Sequence, residues 1–273
     1  MLIPTPPLDQ NFDDMDWTSA DLAAFNIVIQ DQDQDTFFDG PLPDYSGFPD
    51  FIEKEEIVVP REFSYPQLAY QVKNVREFLD ADPIEAEWIF NPFLGNLLRF
   101  MKYEGVHTSV SEGFNIRMIV RNEFAVTIAN VQVQYGSMRY PEFKMLILQH
   151  NKTPFKLSDP EAHLIATAIA AFQKNKAKAG TELEEQVVLG ITTAEQIIPT
   201  FYKIKVTTEL DRAVRLGEKP ATQTVVYRHK ARVPNPCHDI MTLENRRRIV
   251  LYLDGFRKLL EAECHRFPCT SAA

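Results

Sequence analysis

The sequence predicts a mixed α/β (α+β) domain, with a central mixed sheet flanked by helices. Three observations carry that class. Helical and strand periodicities alternate in the order α, α, β, β, β, α, β, β, α, which suits a mixed sandwich better than a doubly wound sheet. The run Met145-Leu146-Ile147-Leu148 is apolar on both faces, as a strand inside a sheet is. A hydrophobic fraction of 45% over 273 residues supplies an ordinary globular core.

Each element has a local reason. From Pro66 to Ala81, Leu68, Val72, Val75 and Leu79 share one helical face. Asp82-Pro83 opens a second helix, where Glu85 can answer the cap. Trp88, Phe90, Phe93, Leu94, Leu97, Leu98 and Met101 bury that helix, and Pro92 is expected to kink or divide it. Ser111 to Val120 and Phe124 to Tyr135 read as strands, with Gly136-Ser137 turning the chain toward a third, Lys144 to His150. Asp159-Pro160 caps a helix to Lys174 with Leu164, Ile165, Ala168 and Phe172 inward. Residues 175–185 are charged and read as a mobile connection. Ile197 to Val206 and Thr222 to Val233 read as a strand pair. Thr242 to Glu263 is a long final helix with Ile249, Leu253, Phe256 and Leu260 on one stripe.

Charge divides the chain. Residues 1–60 carry fourteen acidic side chains and one basic one, Lys54, which leaves 28 basic and 24 acidic in the remainder. That acidic, proline-containing segment, with the run Asp31-Gln32-Asp33-Gln34-Asp35, is expected to be a loosely ordered leader ahead of one domain over residues 61–273. Its scattered aromatics, Trp17, Phe25, Phe37 and Phe38 among them, suit docking onto the domain or onto a partner. No apolar run is long enough to span a bilayer, and the N-terminus carries no basic, apolar signal pattern. Three late cysteines, Cys237, Cys264 and Cys269, suit a reducing compartment, so the expected location is cytoplasmic or nuclear. No phosphate-binding glycine loop, dinucleotide fingerprint or serine elbow is present in the sequence.

The chemistry-bearing cluster lies where an apolar strand closes in Gln149-His150-Asn151-Lys152. Side chains alternate along a strand, so His150 and Lys152 project to one side and Gln149 to the other. If the preceding strand pairs with this one, Asn130 can approach the cluster, and Glu85 or Glu87 can supply a carboxylate. Metal-dependent phosphodiester hydrolysis needs such ligands to hold the ion and a charge to stabilise the phosphate. Cys237-His238, Cys264-His265 and Cys269 are zinc-type ligands, but without a paired Cys-x-x-Cys spacing. Basic residues recur as Lys174, Lys176 and Lys178 in an expected loop, as Arg246-Arg247-Arg248, and as Lys203, Lys205, Arg228, Lys230 and Arg232 along the last strand pair. The strand-pair cations form a candidate nucleic-acid face, which the acidic leader could instead cover.

Several passages together resemble a known family. They are Phe37-Phe38, Glu87-Trp88 with Pro92-Phe93-Leu94, Leu148 to Lys152, Asp159-Pro160-Glu161 with Ile169 to Gln173, Phe201-Tyr202-Lys203, and Glu244-Asn245-Arg246. Over most of the chain beyond residue 60, these resemble an uncharacterised protein family of basidiomycete, mushroom-forming fungi, similar in turn to the PD-(D/E)XK nuclease-like superfamily. The resemblance implies a nuclease-like core in which the family's aspartate falls on Asn130, its glutamate on His150, and its lysine on Lys152. Two anionic ligands are thus replaced by neutral ones, which weakens the hold on a hard dication. A catalytically impaired binding or accessory protein is therefore expected, with nucleic acid or a protein partner as its target. The alternative is an active nuclease using magnesium or manganese, with Glu85, Glu87, Asn130, Gln149, His150 and Lys152 as its site and Glu87 and His150 on the metal. A third reading is an accessory protein with no nucleic-acid role.

Overall fold

A computed structural model describes residues 16–42, 66–73, 83–137, 140–150, 159–179, 183–193, 197–235, 240 and 242–266. The fold is mixed α/β, built on a seven-stranded mixed sheet. In chain order the elements are α1 (Ser19–Ala24), β1 (Ile27–Asp31), α2 (Gln34–Phe37), α3 (Pro66–Lys73), α4 (Pro83–Phe100), β2 (Thr108–Val120), β3 (Glu123–Ser137) and β4 (Tyr140–His150). There follow α5 (Pro160–Ala179), β5 (Glu185–Thr193), β6 (Pro199–Thr207), α6 (Thr208–Leu216), β7 (Thr224–Lys230) and α7 (Leu243–Arg266). Across the sheet the order is β1-β7-β6-β5-β4-β3-β2. The β4–β5 and β1–β7 pairs are parallel and the other four are antiparallel.

Each face of the sheet carries a core. On one, Phe93, Leu97 and Leu98 of α4 and Ile249, Leu253 and Phe256 of α7 pack with Val131, Leu146, Leu148 and Phe201. On the other, Leu164, Ile165, Ala168 and Phe172 of α5 pack with Ile147, Tyr202 and Ile204, and α1 and α6 add Leu22 and Leu210. Helix α5 is buried around most of its circumference because its alanines let the sheet approach closely. The approach is tightest at Gly190, where a Cβ would stand 2.8 Å from Leu164 Cδ2. Asp159 caps α5 as expected, its Oδ1 accepting from the Ala162 N–H at 3.0 Å. Gln173 then closes part of the β2 edge, accepting from the Ile119 N–H at 2.8 Å and donating to its carbonyl at 3.0 Å.

Several expectations need correction. Helix α4 runs through Pro92 without dividing. Residues 175–179 complete α5 instead of starting a mobile connection, because Asn175 is fully buried and its side chain bonds the backbone of Lys144 and the side chain of Gln186. Lys174, Lys176 and Lys178 therefore lie on a helix, not a loop. Strand β5 was not anticipated, and neither was α6. Within the acidic leader, residues 19–37 form α1, β1 and α2, and β1 is an edge strand of the sheet. The physical reason is apolar burial: Trp17, Phe25, Ile27 and Phe37 are each 4% exposed or less. No helix among the described residues is long and apolar enough to cross a membrane.

Candidate functional site

Strands β3 and β4 pair antiparallel, the condition on which the expected cluster rested. Val131 lies opposite Leu148, and one step further along lie Asn130 and Gln149. Asn130 is 2% exposed, and its Nδ2 donates to Asn91 Oδ1 of α4 at 2.9 Å. Position 130 is therefore occupied by a buried neutral amide held by a second neutral amide. Gln149 is 1% exposed, and its Oε1 has no hydrogen-bond partner among the described residues. Glu85 and Glu87 fall on α4, and His150 ends β4, but the side chains of all three lie outside the described residues, as does all of Lys152.

From Gln149 a polar row crosses the sheet under the start of α5. Gln149 pairs with Thr192 of β5. The Thr192 hydroxyl lies 3.3 Å from the Tyr202 hydroxyl of β6. Tyr202 donates to Glu161 Oε1 in the first turn of α5 at 2.5 Å. Arg228 of β7, opposite Tyr202, donates through Nη1 to both oxygens of Glu161, at 2.7 and 2.8 Å. The same guanidinium reaches Asp31 of β1 through Nε at 2.6 Å and Nη2 at 3.0 Å. Four strands and a helix thus converge on one hydrogen-bonded chain.

The electrostatics follow from this wiring. Burial pushes the Tyr202 phenol well above its ordinary range, and the Glu161 charge pushes it further, so it donates and does not ionise. The hydrogen bond from Arg228 holds the Asp31 carboxyl below the usual carboxylate range. The bond to Asp31, and next the bonds to Glu161, keep Arg228 charged at every working pH. Glu161 is thus committed to an arginine and a tyrosine, a poor state from which to bind a cation. Among the described residues no three His, Cys, Asp or Glu side chains converge as metal ligands. Of the zinc-type residues, Cys264 is buried in α7, whereas Cys237, His238 and Cys269 lie outside the described residues.

The candidate nucleic-acid cations divide into two groups. Lys203 lies 3.3 Å from Asp39, Lys205 lies 2.8 Å from Glu185, and Arg228 is held by Asp31 and Glu161. Lys230 and Arg232 are exposed, and neither makes an ion pair among the described residues. Arg246, read from sequence as part of a basic patch, is instead 1% exposed, and its Nη1 donates to the Ile240 carbonyl. Two of the neutralising carboxylates, Asp31 and Asp39, come from the acidic leader.

Sequence reasoning missed the roles of Glu161, Tyr202, Thr192 and Asp31. Glu161 and Tyr202 stood in the motifs Asp159-Pro160-Glu161 and Phe201-Tyr202-Lys203, but nothing local joins them. Asp31 and Arg228 are 197 residues apart in sequence. No protein-family model matches the chain, and a search of curated proteins finds no match.

Proposed function

We propose that this chain is a nuclease-like protein whose metal site has lost its acidic ligands, and that it acts by binding, as an accessory protein. One observation carries the reading. Position 130, where the resemblance places an aspartate, holds a 2% exposed asparagine tied to Asn91. A hard dication is held by carboxylates, and a buried amide pair offers only weak neutral oxygens. Supporting it, β3, the hairpin, β4 and α5 keep the order on which the resemblance rests, with Gln149 and His150 closing β4 ahead of α5. Glu161, a carboxylate in the first turn of α5, is consumed by Arg228 and Tyr202.

The test is cleavage. The wild-type protein, Lys152→Ala, and the double variant Asn130→Asp/His150→Glu are incubated with single- and double-stranded DNA and RNA in magnesium and in manganese. The expected result is no cleavage by the wild type and metal-dependent cleavage by the double variant. Cleavage by the wild type that disappears in Lys152→Ala would overturn the proposal and establish a working nuclease site.

A further inference from the structure

Two features singled out in the sequence, the run Asp31 to Asp35 and the cations ending the last strand pair, line the same cleft of about 570 Å³. The leader contributes Asp31, Asp33 and Asp35 to its lining, and Lys230, Arg232, Arg248 and Tyr252 contribute the rest of its charged and aromatic groups. The volume is that of a small-molecule site.

The cleft is preorganised around Tyr252. Its hydroxyl accepts from the Arg232 backbone N–H at 3.3 Å and from Arg248 Nη2 at 3.3 Å, and donates to Gln34 Oε1 at 3.2 Å. Arg248 also donates to Gln34 Oε1 at 2.5 Å, and its guanidinium lies 4.8 Å over the Tyr252 ring. Among the described residues the side-chain partners of Arg248 are therefore neutral oxygens and a π face. A fixed guanidinium without a carboxylate among the described residues, in a cleft that Lys230 and Arg232 also line, is a receptor for an anionic group. Lys203, Lys205, Arg228 and Arg257 all have carboxylate partners, so the three cleft cations stand apart from their neighbours.

The leader's carboxylates select the other end of the ligand. Asp31 is neutralised by Arg228, whereas Asp33 uses its oxygens on the Thr36 N–H and hydroxyl, which leave its negative charge in place. Asp33 and Asp35 therefore offer the cleft a negative field that disfavours a simple polyanion and favours an ammonium. We infer that the cleft binds a small zwitterion, a free amino acid or short peptide. Its carboxylate would sit on Arg248, Lys230 and Arg232, and its ammonium toward Asp33 and Asp35. This inference does not depend on the nuclease-like reading, because neither Asn130 nor Gln149 lines the cleft.

The test uses the full chain and calorimetric titration with trialanine, its N-acetylated form, its C-terminal amide, and inorganic phosphate. Trialanine should bind, and each blocked form should bind about tenfold more weakly, as expected for loss of one charge-assisted contact. Arg248→Gln should weaken trialanine by a similar factor. Asp35→Asn, a change at an exposed side chain, should weaken trialanine while leaving its N-acetylated form unaffected. Lys205→Gln, outside the cleft, should change nothing. No binding of trialanine, equal binding of the acetylated form, or binding of phosphate alone would each overturn the inference. Wild-type circular dichroism from Arg248→Gln shows that any loss is local.

Discussion

Replacing Arg228 by methionine separates a structural hub from a nucleic-acid contact. The guanidinium joins β7 to α5 through Glu161 and to β1 through Asp31, with its own side chain 16% exposed. The two halves differ in value. The Glu161 pair engages both carboxylate oxygens and is partly buried, at 31% exposure of the acid, so its loss should cost about 2 kcal/mol. The Asp31 carboxylate is 63% exposed, and solvent screening reduces that pair to about 0.5 kcal/mol. Arg228→Met, which keeps most of the aliphatic stem, should therefore lower stability by roughly 2.5 kcal/mol, most of it through Glu161. Urea unfolding followed by fluorescence reports this, since Trp17 is buried against Phe25 at a centroid distance of 5.2 Å. Asp31→Asn should cost far less than Arg228→Met, and a double-mutant cycle of Arg228→Met with Glu161→Gln should show strong coupling. A loss under about 0.5 kcal/mol would refute the hub, because no buried pair breaks that cheaply. Unchanged stability with weakened DNA or RNA binding would reassign Arg228 to a phosphate contact.

Two further perturbations test the packing and the leader. Gly190→Ala places a methyl 2.8 Å from Leu164 Cδ2 and 3.2 Å from Ile204 Cδ1, between α5 and the sheet, and should cost about 1–3 kcal/mol in thermal or urea unfolding; a neutral result would show that α5 can shift. Burial pushes the His229 imidazole below its ordinary range, with Nδ1 3.0 Å from the Gln32 carbonyl of the leader. A histidine whose folded pKa is depressed binds its proton more readily when unfolded, so its contribution is constant above about pH 6.5 and stability falls as pH drops below it. The urea midpoint of the wild type should decline from pH 6.5 toward pH 5, and His229→Gln should lose part of that decline; identical profiles would place the titration elsewhere.

The regular part of the fold was legible because its patterns are long. Strands β2, β3 and β4 carry β-branched or doubly apolar runs, and α5 and α7 carry caps or stripes that survive any context. What escaped has specific causes. Strand β5, Glu185–Thr193, begins in a charged stretch, and its burial comes from the parallel pairing with β4 that no local signal announces. Helix α6 is only nine residues, although Thr207 caps it and Gly217, at φ 73°, ends it in the left-handed conformation that glycine adopts easily. Strand β1 hides as five residues in an acidic leader, and its partner β7 lies almost 200 residues on. Of the candidate site, Asn130 and Gln149 were read from alternation along single strands. The Tyr202–Glu161–Arg228–Asp31 chain exists only once β1, β6, β7 and α5 are assembled, so periodicity had no access to it.

The same assembly changes what the charge count means. Taken alone, the body of the chain is mildly basic and the leader strongly acidic, a division that invites a polyanion onto the last strand pair. The leader, however, is anchored there by aromatic burial: Phe37 is fully buried and stacks on Phe256 at 6.3 Å, and Phe38 packs edge-on against Phe201 at 5.7 Å. Those contacts hold Asp31 and Asp39 beside Arg228 and Lys203 whatever the ionic strength, because the hydrophobic anchor is not screened by salt. A nucleic acid arriving from solution would compete with carboxylates already tethered at high effective concentration, and would gain little counterion release from cations that are already paired. Lys203 and Arg228 of the strand pair are thus cations that the protein pairs with its own leader. Lys230, Arg232 and Arg248, which have no carboxylate partner among the described residues, line a cleft that the leader's Asp33 and Asp35 also line.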